Sequence, residues 1–370
     1  MIKTKVLQLT IGLNHTVQQF DLFEEVARGF ENSDCEFIFG VLTGKPDSNV
    51  IARLPCETVF FEFDKKQIAG LFPKAVPELY RYIDSNNIDT VITHRYKPSY
   101  MMAIMAPFLK NCRRVVSVFH GLKEFDRRSR QLMGRCFYTK KWRIVGVSQA
   151  VVDDLSSKGL PKQRLVLIRN AIDSKALIEQ QYSKLDSREK LELPQDALMI
   201  GTLGRTKYVK GHDLLLEGFA PLCVNNKKLH LVIMGGGELE DSLNELSEEL
   251  GIADNVTITG SLPNAYRYLK ALDIFIMPSR SEGLPIAMLE AMSTGLPIIG
   301  SNVGGIPEAL GDAGVVIEAG SAKAVTQALE GLVNASDDER DEMVRALKVR
   351  IKKDFSIEGY HKAFRELVAE

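Results

Sequence analysis

The sequence predicts an α/β protein built from two doubly wound domains. Two successive series of short apolar runs, each run followed by an amphipathic segment, fill a chain of 370 residues, which is long enough for two substantial cores. Alternating strands and helices form parallel sheets with helices on both faces, and such sheets bind ligands at the carboxyl ends of their strands. Functional residues are therefore expected directly after the apolar runs.

The first series places polar residues after its predicted strands. A strand over residues 6–11 ends at Gly12, with His15 close behind, and later strands deliver His94, Arg95 and His120. The positions of these residues at strand ends favour contact with an acceptor or with a reaction centre. Each histidine could equally be an ordinary loop histidine, and the charges around Arg95 could be solvated surface.

A basic segment follows His120. Residues 121–143 contain eight lysines and arginines, Arg127 and Arg128 among them, against two acids, with aromatic residues between them. Such a segment either contacts anionic lipid or a phosphorylated acceptor, or forms a solvated helix face. Nucleic acid is a less favoured partner, because the net charge is −1 and no nucleic-acid-binding motif accompanies the segment.

The second series begins after a polar stretch, residues 174–197, that we interpret as an interdomain connection. Its first strand runs into Gly204, and Arg205 and Lys210 follow. A planar guanidinium and an ammonium group together suit a diphosphate. The next strand ends in a glycine triplet that includes Gly235 and Gly236, where a ligand could approach the backbone closely, although such a triplet often marks only a tight turn.

The stretch around residues 279–297 carries two carboxylates, Glu282 and Glu290. A buried strand precedes it, so Glu282 is expected in a strand-to-helix loop and Glu290 in the following helix. The amides of Gly283 and Leu284 would lie at the helix N-terminus, which favours phosphate. Glu282 could be a solvated loop acid and Glu290 a surface acid. However, the apolar neighbours of Glu290 make an unpaired carboxylate costly there unless a ligand binds it.

Two phrases carry a family resemblance. The segment from Glu282 to Glu290 resembles the E-x7-E motif of the retaining GT-B glycosyltransferases, especially the glycosyl transferases group 1 family, which includes lipopolysaccharide-core and capsule enzymes. Gly-Arg-x4-Lys-Gly, with Arg205 and Lys210, resembles the diphosphate motif of that family. The resemblance implies that Glu282 contacts the donor sugar, that Glu290 contacts the nucleotide ribose, and that His120 lies beside the reaction centre.

The resemblance also implies an architecture. Two doubly wound Rossmann-like domains would face each other across a cleft, as in other GT-B proteins. Residues 1–173, joined by a C-terminal helix over residues 352–370, would form the acceptor side, and residues 198–351 would bind the nucleotide sugar.

The function implied is retaining transfer of a sugar from a nucleoside diphosphate sugar, with a UDP-sugar expected, to a glycan acceptor. The acceptor would be phosphorylated or lipid-linked, as in synthesis of lipopolysaccharide core or another surface polysaccharide. No cofactor or metal is expected, and the sequence contains no D-x-D. A nucleotide-sugar epimerase of GT-B fold and a non-catalytic sugar-nucleotide-binding protein are the alternatives.

The remaining composition points to the cytoplasm. The first residues, Met-Ile-Lys-Thr-Lys, are followed by a strand-length apolar run rather than by a signal-peptide pattern. Its five cysteines are dispersed without C-x-x-C spacing, which is typical of reduced thiols. We expect a cytoplasmic protein, with peripheral contact on the inner face of the membrane if the basic segment binds lipid.

Overall fold

The computed structural model consists of two compact units. It describes residues 4–12, 22–64, 66–70, 72, 74–138 and 140–369, except for the side chains of residues 49, 50 and 225. The first unit comprises Met1–Asn170 together with Ile357–Glu370, and the second comprises Ala171–Ser356.

A parallel sheet of seven strands forms the centre of the first unit, in the order β3-β2-β1-β4-β5-β6-β7. The strands are β1 (Thr4–Thr10), β2 (Cys35–Val41), β3 (Glu57–Phe60), β4 (Thr90–His94), β5 (Arg114–Phe119), β6 (Trp142–Gly146) and β7 (Leu165–Leu167). The central strands are buried along almost their whole length, as expected for a parallel sheet covered on both faces.

Helices connect these strands. They are α1 (Leu22–Gly29), α2 (Ser48–Ile51), α3 (Ala75–Ser85), α4 (Tyr96–Met105), α5 (Arg128–Phe137) and α6 (Gln149–Ser157), with a 3₁₀ turn at Lys162–Arg164.

The second unit contains a parallel sheet of six strands in the order β10-β9-β8-β11-β12-β13. The strands are β8 (Leu198–Leu203), β9 (Leu229–Met234), β10 (Val256–Ile258), β11 (Ile274–Met277), β12 (Ile298–Ser301) and β13 (Val315–Ile317). One apolar cluster joins Ile200, Leu231 and Ile274 of this sheet to Leu215 and Phe219, and all five are fully buried.

The helices of this unit are α7 (Ser174–Gln180), α8 (Lys184–Lys190), α9 (His212–Asn225), α10 (Glu240–Glu249), α11 (Ile286–Thr294), α12 (Ile306–Leu310), α13 (Ala322–Asn334) and α14 (Asp337–Asp354). Three 3₁₀ segments accompany them, at Tyr208–Lys210, Ala253–Asn255 and Ala265–Ala271.

The stretch that we interpreted as a connection, residues 174–197, contains α7 and α8 and belongs to the second unit. Asp173 and Ser183 cap the two helices by accepting hydrogen bonds from backbone amides. Arg188, only 3% exposed, donates to Ala271 O and to the carboxylate of Asp273. The polar composition of the stretch thus reflects caps and a buried ion pair.

The last helix, α15 (Ile357–Ala369), returns to the first unit and packs against α1. Arg365 donates to Gly29 O over 2.7 Å, and His361 Nε2 lies 3.2 Å from Glu25 Oε2. The contribution to the first unit begins at Ile357 rather than at residue 352, because α14 continues to Asp354 within the second unit.

Two further features bear on the sequence analysis. All five cysteines are free thiols, as the spacing predicted. Across the described ranges, no helix combines the length and the apolar character needed to cross a bilayer.

Candidate functional site

The loops at the carboxyl edge of the second sheet contain the residues predicted to bind the donor, except Glu290. The strand β11 ends at Met277, and the loop that follows carries Glu282 before α11 begins at Ile286. Glu290 lies within α11, and Gly295 ends that helix in the left-handed conformation, with φ 89°. The local prediction for this stretch is therefore confirmed.

Glu282 is held in an ion pair. Its Oε1 lies 2.7 Å from Lys210 Nζ and accepts a second hydrogen bond, of 2.8 Å, from Ser279 Oγ. The side chain of Glu282 is 11% exposed and that of Lys210 22%, so Glu282 is not a solvated loop acid. Charge-assisted bonds of this kind contribute roughly 1.5–3 kcal/mol each. The structure thus brings together the predicted sugar carboxylate and one predicted diphosphate cation.

Two glycines allow the loops around this pair to touch. A Cβ at Gly211 would overlap Pro278 O, and one at Gly304 would overlap Glu282 O. Both residues also have positive φ, 69° and 54°, which favours glycine. Gly305 N then donates to Gly283 O over 2.6 Å. The loops after β8, β11 and β12 therefore form one packed layer.

The glycine triplet after β9 joins the same layer. A Cβ at Gly235 would overlap Gly204 O, and one at Gly236 would lie 2.7 Å from Ser261 N. Thr206 N donates to Gly236 O over 3.1 Å. These glycines allow the loops to pack closely. Their contact with a nucleotide stays a prediction.

Arg205 differs from Lys210 in its surroundings. Its side chain is exposed, and within the residues that the structure describes it makes no hydrogen bond or ion pair. The guanidinium is therefore available to an anion. Gly283 and Leu284 are buried, and the predicted use of their amides for phosphate also stays a prediction.

Glu290 is a buried carboxyl group. It is 7% exposed, and burial raises its pKa to about 7. Its backbone carbonyl accepts from Thr294 Oγ1, whereas its carboxyl group has no hydrogen-bonding partner among the residues described. A ligand hydroxyl would satisfy such a group, whose isolation is otherwise costly.

In the first unit, His94 and His120 form a pair. Strands β4 and β5 are neighbours, which places His94 Nδ1 3.1 Å from His120 Nε2. The two rings are stacked with centroids 5.3 Å apart, and the ring of Phe23 lies against both. The fold thus brings together two histidines that the sequence analysis placed at the ends of separate strands.

Both histidines are neutral at pH 7. Burial lowers the pKa of His120 to about 3, with a smaller contribution from the positive charge of Arg95. Burial also holds the pKa of His94 well below its ordinary value, followed by the influence of His120 and Arg95. In the 3.1 Å contact between two neutral rings, the tautomers decide which nitrogen donates and which accepts. His94 Nε2 is buried without a partner in the described part of the chain.

The other acceptor-side candidates have varied surroundings. Arg95 adopts φ 69° before α4, and its amide donates to Val118 O over 2.9 Å; a non-glycine residue in this region stores backbone strain. A Cβ at Gly12 would lie 2.9 Å from Thr43 Oγ1, so Gly12 is closely packed. His15 lies outside the described residues.

The basic segment divides into a packed part and an exposed part. Trp142 and Tyr138 are buried and stacked 4.2 Å apart, and Lys141 donates to Leu109 O over 2.9 Å. Arg127 and Arg128 are exposed. No hydrogen bond or ion pair joins them to the two histidines within the ranges described above.

Sequence reasoning missed Arg280. Its guanidinium forms a bidentate ion pair with Asp213, far away in the sequence. The only local signal was the position of Arg280 inside the motif segment, and nothing in the sequence indicates its partner.

Family models cover most of the chain. Residues 183–350 match the model described as glycosyl transferases group 1, and residues 23–176 match the model of glycosyltransferase family 4. These ranges include Glu282, Glu290, Arg205, Lys210 and His120.

Curated relatives match part of the chain. A lipopolysaccharide core biosynthesis mannosyltransferase of Rhizobium meliloti is 28% identical over 52% of this chain and 57% of its own length. A lipopolysaccharide core biosynthesis glycosyltransferase of the same organism is 29% identical over 49% of this chain and 53% of its own length. The matches thus span about half the length of these two relatives.

Solved structures resemble the whole chain. A glycosyltransferase from Rickettsia africae superposes with a TM-score of 0.83 at 18% identity, covering 99% of this chain and 98% of its own. Anabaena HepE, in complex with UDP, superposes with a TM-score of 0.82 at 15% identity over 100% of both chains. At such identities the likeness concerns the fold, and it confirms the predicted two-domain α/β fold of GT-B type. The two family models together match residues 23–176 and 183–350, and over these ranges the chain is similar to the glycosyltransferases of family 4 and of group 1.

Proposed function

We propose that the protein is a retaining glycosyltransferase that moves a sugar from a UDP-sugar to a glycan acceptor in the synthesis of lipopolysaccharide core or another surface polysaccharide. The names of the Rhizobium meliloti relatives support this acceptor class. The complexes of Anabaena HepE with UDP and with UDP-glucose support the donor class.

The observation that carries the proposal is the arrangement of the two motif carboxyls. Glu290 is buried with no partner for its carboxyl group among the described residues, and Glu282 is fixed beside Lys210 at the same sheet edge. A nucleotide ribose offers hydroxyl groups to the first carboxyl. A donor sugar and its diphosphate offer hydroxyl groups and negative charge to the second carboxyl and to its lysine.

The chemistry follows from charge. As the bond between the anomeric carbon and the phosphate oxygen breaks, negative charge builds on the departing diphosphate, and Arg205 and Lys210 would stabilise it. The acceptor oxygen would attack the anomeric carbon from the face that the diphosphate leaves. The departing phosphate would take the proton of the acceptor hydroxyl. His120, neutral at pH 7, would contribute hydrogen bonding rather than positive charge. We propose that this transfer needs no metal ion.

A thermal-shift panel tests the donor. UDP, GDP, ADP, CMP and their common sugar conjugates are each added with EDTA present. A ligand that binds only the folded state raises the melting temperature. We expect UDP and a UDP-sugar to stabilise the protein, and we expect Glu290→Ala to weaken UDP binding about tenfold or more, as loss of a charged hydrogen bond should. Glu330→Ala, at an exposed position of α13, is the matched control and should bind as the wild type does.

Product analysis separates the alternatives. With acceptor glycans present, a retaining transferase yields a linkage of the same anomeric configuration as the donor, together with free UDP. Conversion of the nucleotide sugar without acceptor would identify an epimerase. Donor binding without turnover would indicate a non-catalytic protein, and the absence of any nucleotide binding would overturn the proposal.

We also propose that the exposed face of α5 contacts an anionic membrane. Arg128, Arg135, Leu132 and Phe137 are all exposed on this helix, Leu132 by 64%. Basic residues beside exposed apolar side chains suit a lipid surface of opposite charge. Cosedimentation with phosphatidylglycerol vesicles should fall in Leu132→Ser and in Arg128→Gln. It should persist in Leu185→Ser, which alters an equally exposed leucine on α8. Equal sedimentation of all variants would contradict this proposal.

A further inference from the structure

Both terminal nitrogens of the Arg280 guanidinium are bonded to groups of its own chain. Its Nη1 and Nη2 lie 2.7 and 2.6 Å from the two carboxylate oxygens of Asp213, in the first turn of α9. Nη1 also donates to Tyr208 O over 2.9 Å, and the guanidinium carbon lies 4.1 Å from the centroid of the Tyr208 ring. Bidentate pairing combined with stacking is a geometry that lysine cannot reproduce.

The backbone of Arg280 reinforces this attachment. Its amide donates to Val209 O over 2.7 Å. The 3₁₀ turn Tyr208–Lys210 is thus held by the side chain and by the main chain of one residue, and the close approach of Gly211 to Pro278 O fixes the end of the turn. Lys210, the last residue of the turn, is the residue that pairs with Glu282.

We propose that Arg280 is a positioning residue that, through Asp213 and Tyr208, sets the location of Lys210 and thereby the affinity for the donor diphosphate. This inference rests on the proposed function. It assigns to Arg280 no contact with the donor, although a basic residue next to Ser279 and near Glu282 would ordinarily be counted as a phosphate ligand.

The ion pair with Asp213 favours a positioning role for Arg280 over direct binding of the diphosphate. Burial opposes the ionisation of Asp213, but the hydrogen bonds and the charge of Arg280 outweigh it and lower the pKa of Asp213. The carboxylate is therefore ionised at neutral pH and cancels the charge of Arg280 close by. The side chain of Arg205, by contrast, is exposed and makes no hydrogen bond or ion pair within the described ranges. A diphosphate would be drawn to Arg205 and Lys210 rather than to the compensated pair.

Asp213→Asn gives opposite results for the two roles. If Arg280 bound the diphosphate directly, removal of the competing carboxylate would free its charge and strengthen UDP binding. If Arg280 positions Lys210, the same substitution loosens the turn, and we expect UDP affinity to fall by about tenfold, within the range of coupling between contacting residues. Arg280→Lys keeps the charge but loses the fork, and it should weaken UDP binding to a similar degree.

The chain offers a matched control pair. In α14, Arg340 pairs with Asp337 over 2.7 Å and also donates to the carbonyl of Leu332. Asp337→Asn and Arg340→Lys thus make the same chemical changes in an ion pair outside the candidate site, and titration calorimetry should show wild-type UDP affinity for both. Circular dichroism of each variant checks that the fold is intact. Unchanged or tighter UDP binding in Asp213→Asn would overturn the positioning role.

A second measurement does not depend on any donor. In the ligand-free protein, amide hydrogen exchange over residues 205–213 should be at least several-fold faster in Asp213→Asn than in Asp337→Asn, because the turn has lost its attachment. Equal exchange in the two variants would refute the inference. If no nucleotide binds the wild type, the proposed function fails, and this exchange comparison still decides whether Arg280 holds the turn.

Discussion

The carboxyl group of Glu290 couples a binding role to pH. Burial raises its pKa from 4.5 to about 7, so the folded state holds a proton that the unfolded state releases between these values. Stability falls as pH rises wherever the folded state binds more protons. The pH-dependent part of its cost is therefore absent below about pH 4.5, builds up as pH rises towards 7, and is constant above that range.

The fall in stability with rising pH leads to a measurable prediction for Glu290→Gln. The unfolding free energy of the wild type relative to the variant should decrease between pH 5 and pH 8, by as much as about 3 kcal/mol if the unfolded group titrates normally. Urea unfolding at several pH values measures the difference. Glu330→Gln, on an exposed face, should show no such trend. A difference for Glu290→Gln that is constant with pH would show that the carboxyl group is not perturbed.

At the scale of single strands and helices, the sequence predicted those elements that depend mainly on residues near each other in the chain. The apolar runs of β8 and β11 and the glycine that ends α11 require no knowledge of distant residues. The helices α7 and α8 escaped prediction because their polar residues look like those of a connection. What makes them helices is capping together with the contact of Arg188 with Ala271 and Asp273, which lie far along the chain.

The sequence likewise predicted the positions of the candidate-site residues but not their partners. The positions of Glu282 in a loop and Glu290 in a helix followed from glycine and proline signals. The pairing of His94 with His120 and of Lys210 with Glu282 depends on which strands become neighbours in the folded sheet. The partner of Arg280 depends on the same topology, and one sequence contains no signal for it.

The packing of α8 predicts a large effect for Arg188→Met. Arg188 is 3% exposed and pairs with Asp273 over 2.8 Å. Its removal leaves the carbonyls of Ala271 and Gln195 without their arginine donor, while Asp273 keeps the bonds from Lys184 and from the Met199 amide. We therefore expect a loss of about 3 kcal/mol, mainly from the two unpaired carbonyls. Lys184→Met is the control, because Lys184 pairs with the same carboxylate but is exposed; it should cost about 1 kcal/mol or less. Equal losses in chemical denaturation would contradict this account.

At the scale of the molecule, the first unit is discontinuous in sequence. Its helix α15 follows the whole second unit, and Phe364 of that helix is fully buried. We predict that Phe364→Ala costs about 3–5 kcal/mol, as truncation of a buried phenylalanine does. Lys362→Ala, at an exposed position of the same helix, should have little effect. A Phe364→Ala protein as stable as the wild type in urea would show that α15 does not support the first unit.

The late arrival of α15 also matters while the chain is being made. Residues 171–356 separate the bulk of the first unit from its last helix. At translation rates of about 5–20 residues per second, α1 emerges and then waits roughly ten to forty seconds longer for its partner than a contiguous domain would require. During that interval the surface that α15 later covers is open to chaperones and to neighbouring nascent chains. Completion of the first unit on the ribosome is therefore timed by synthesis of the second.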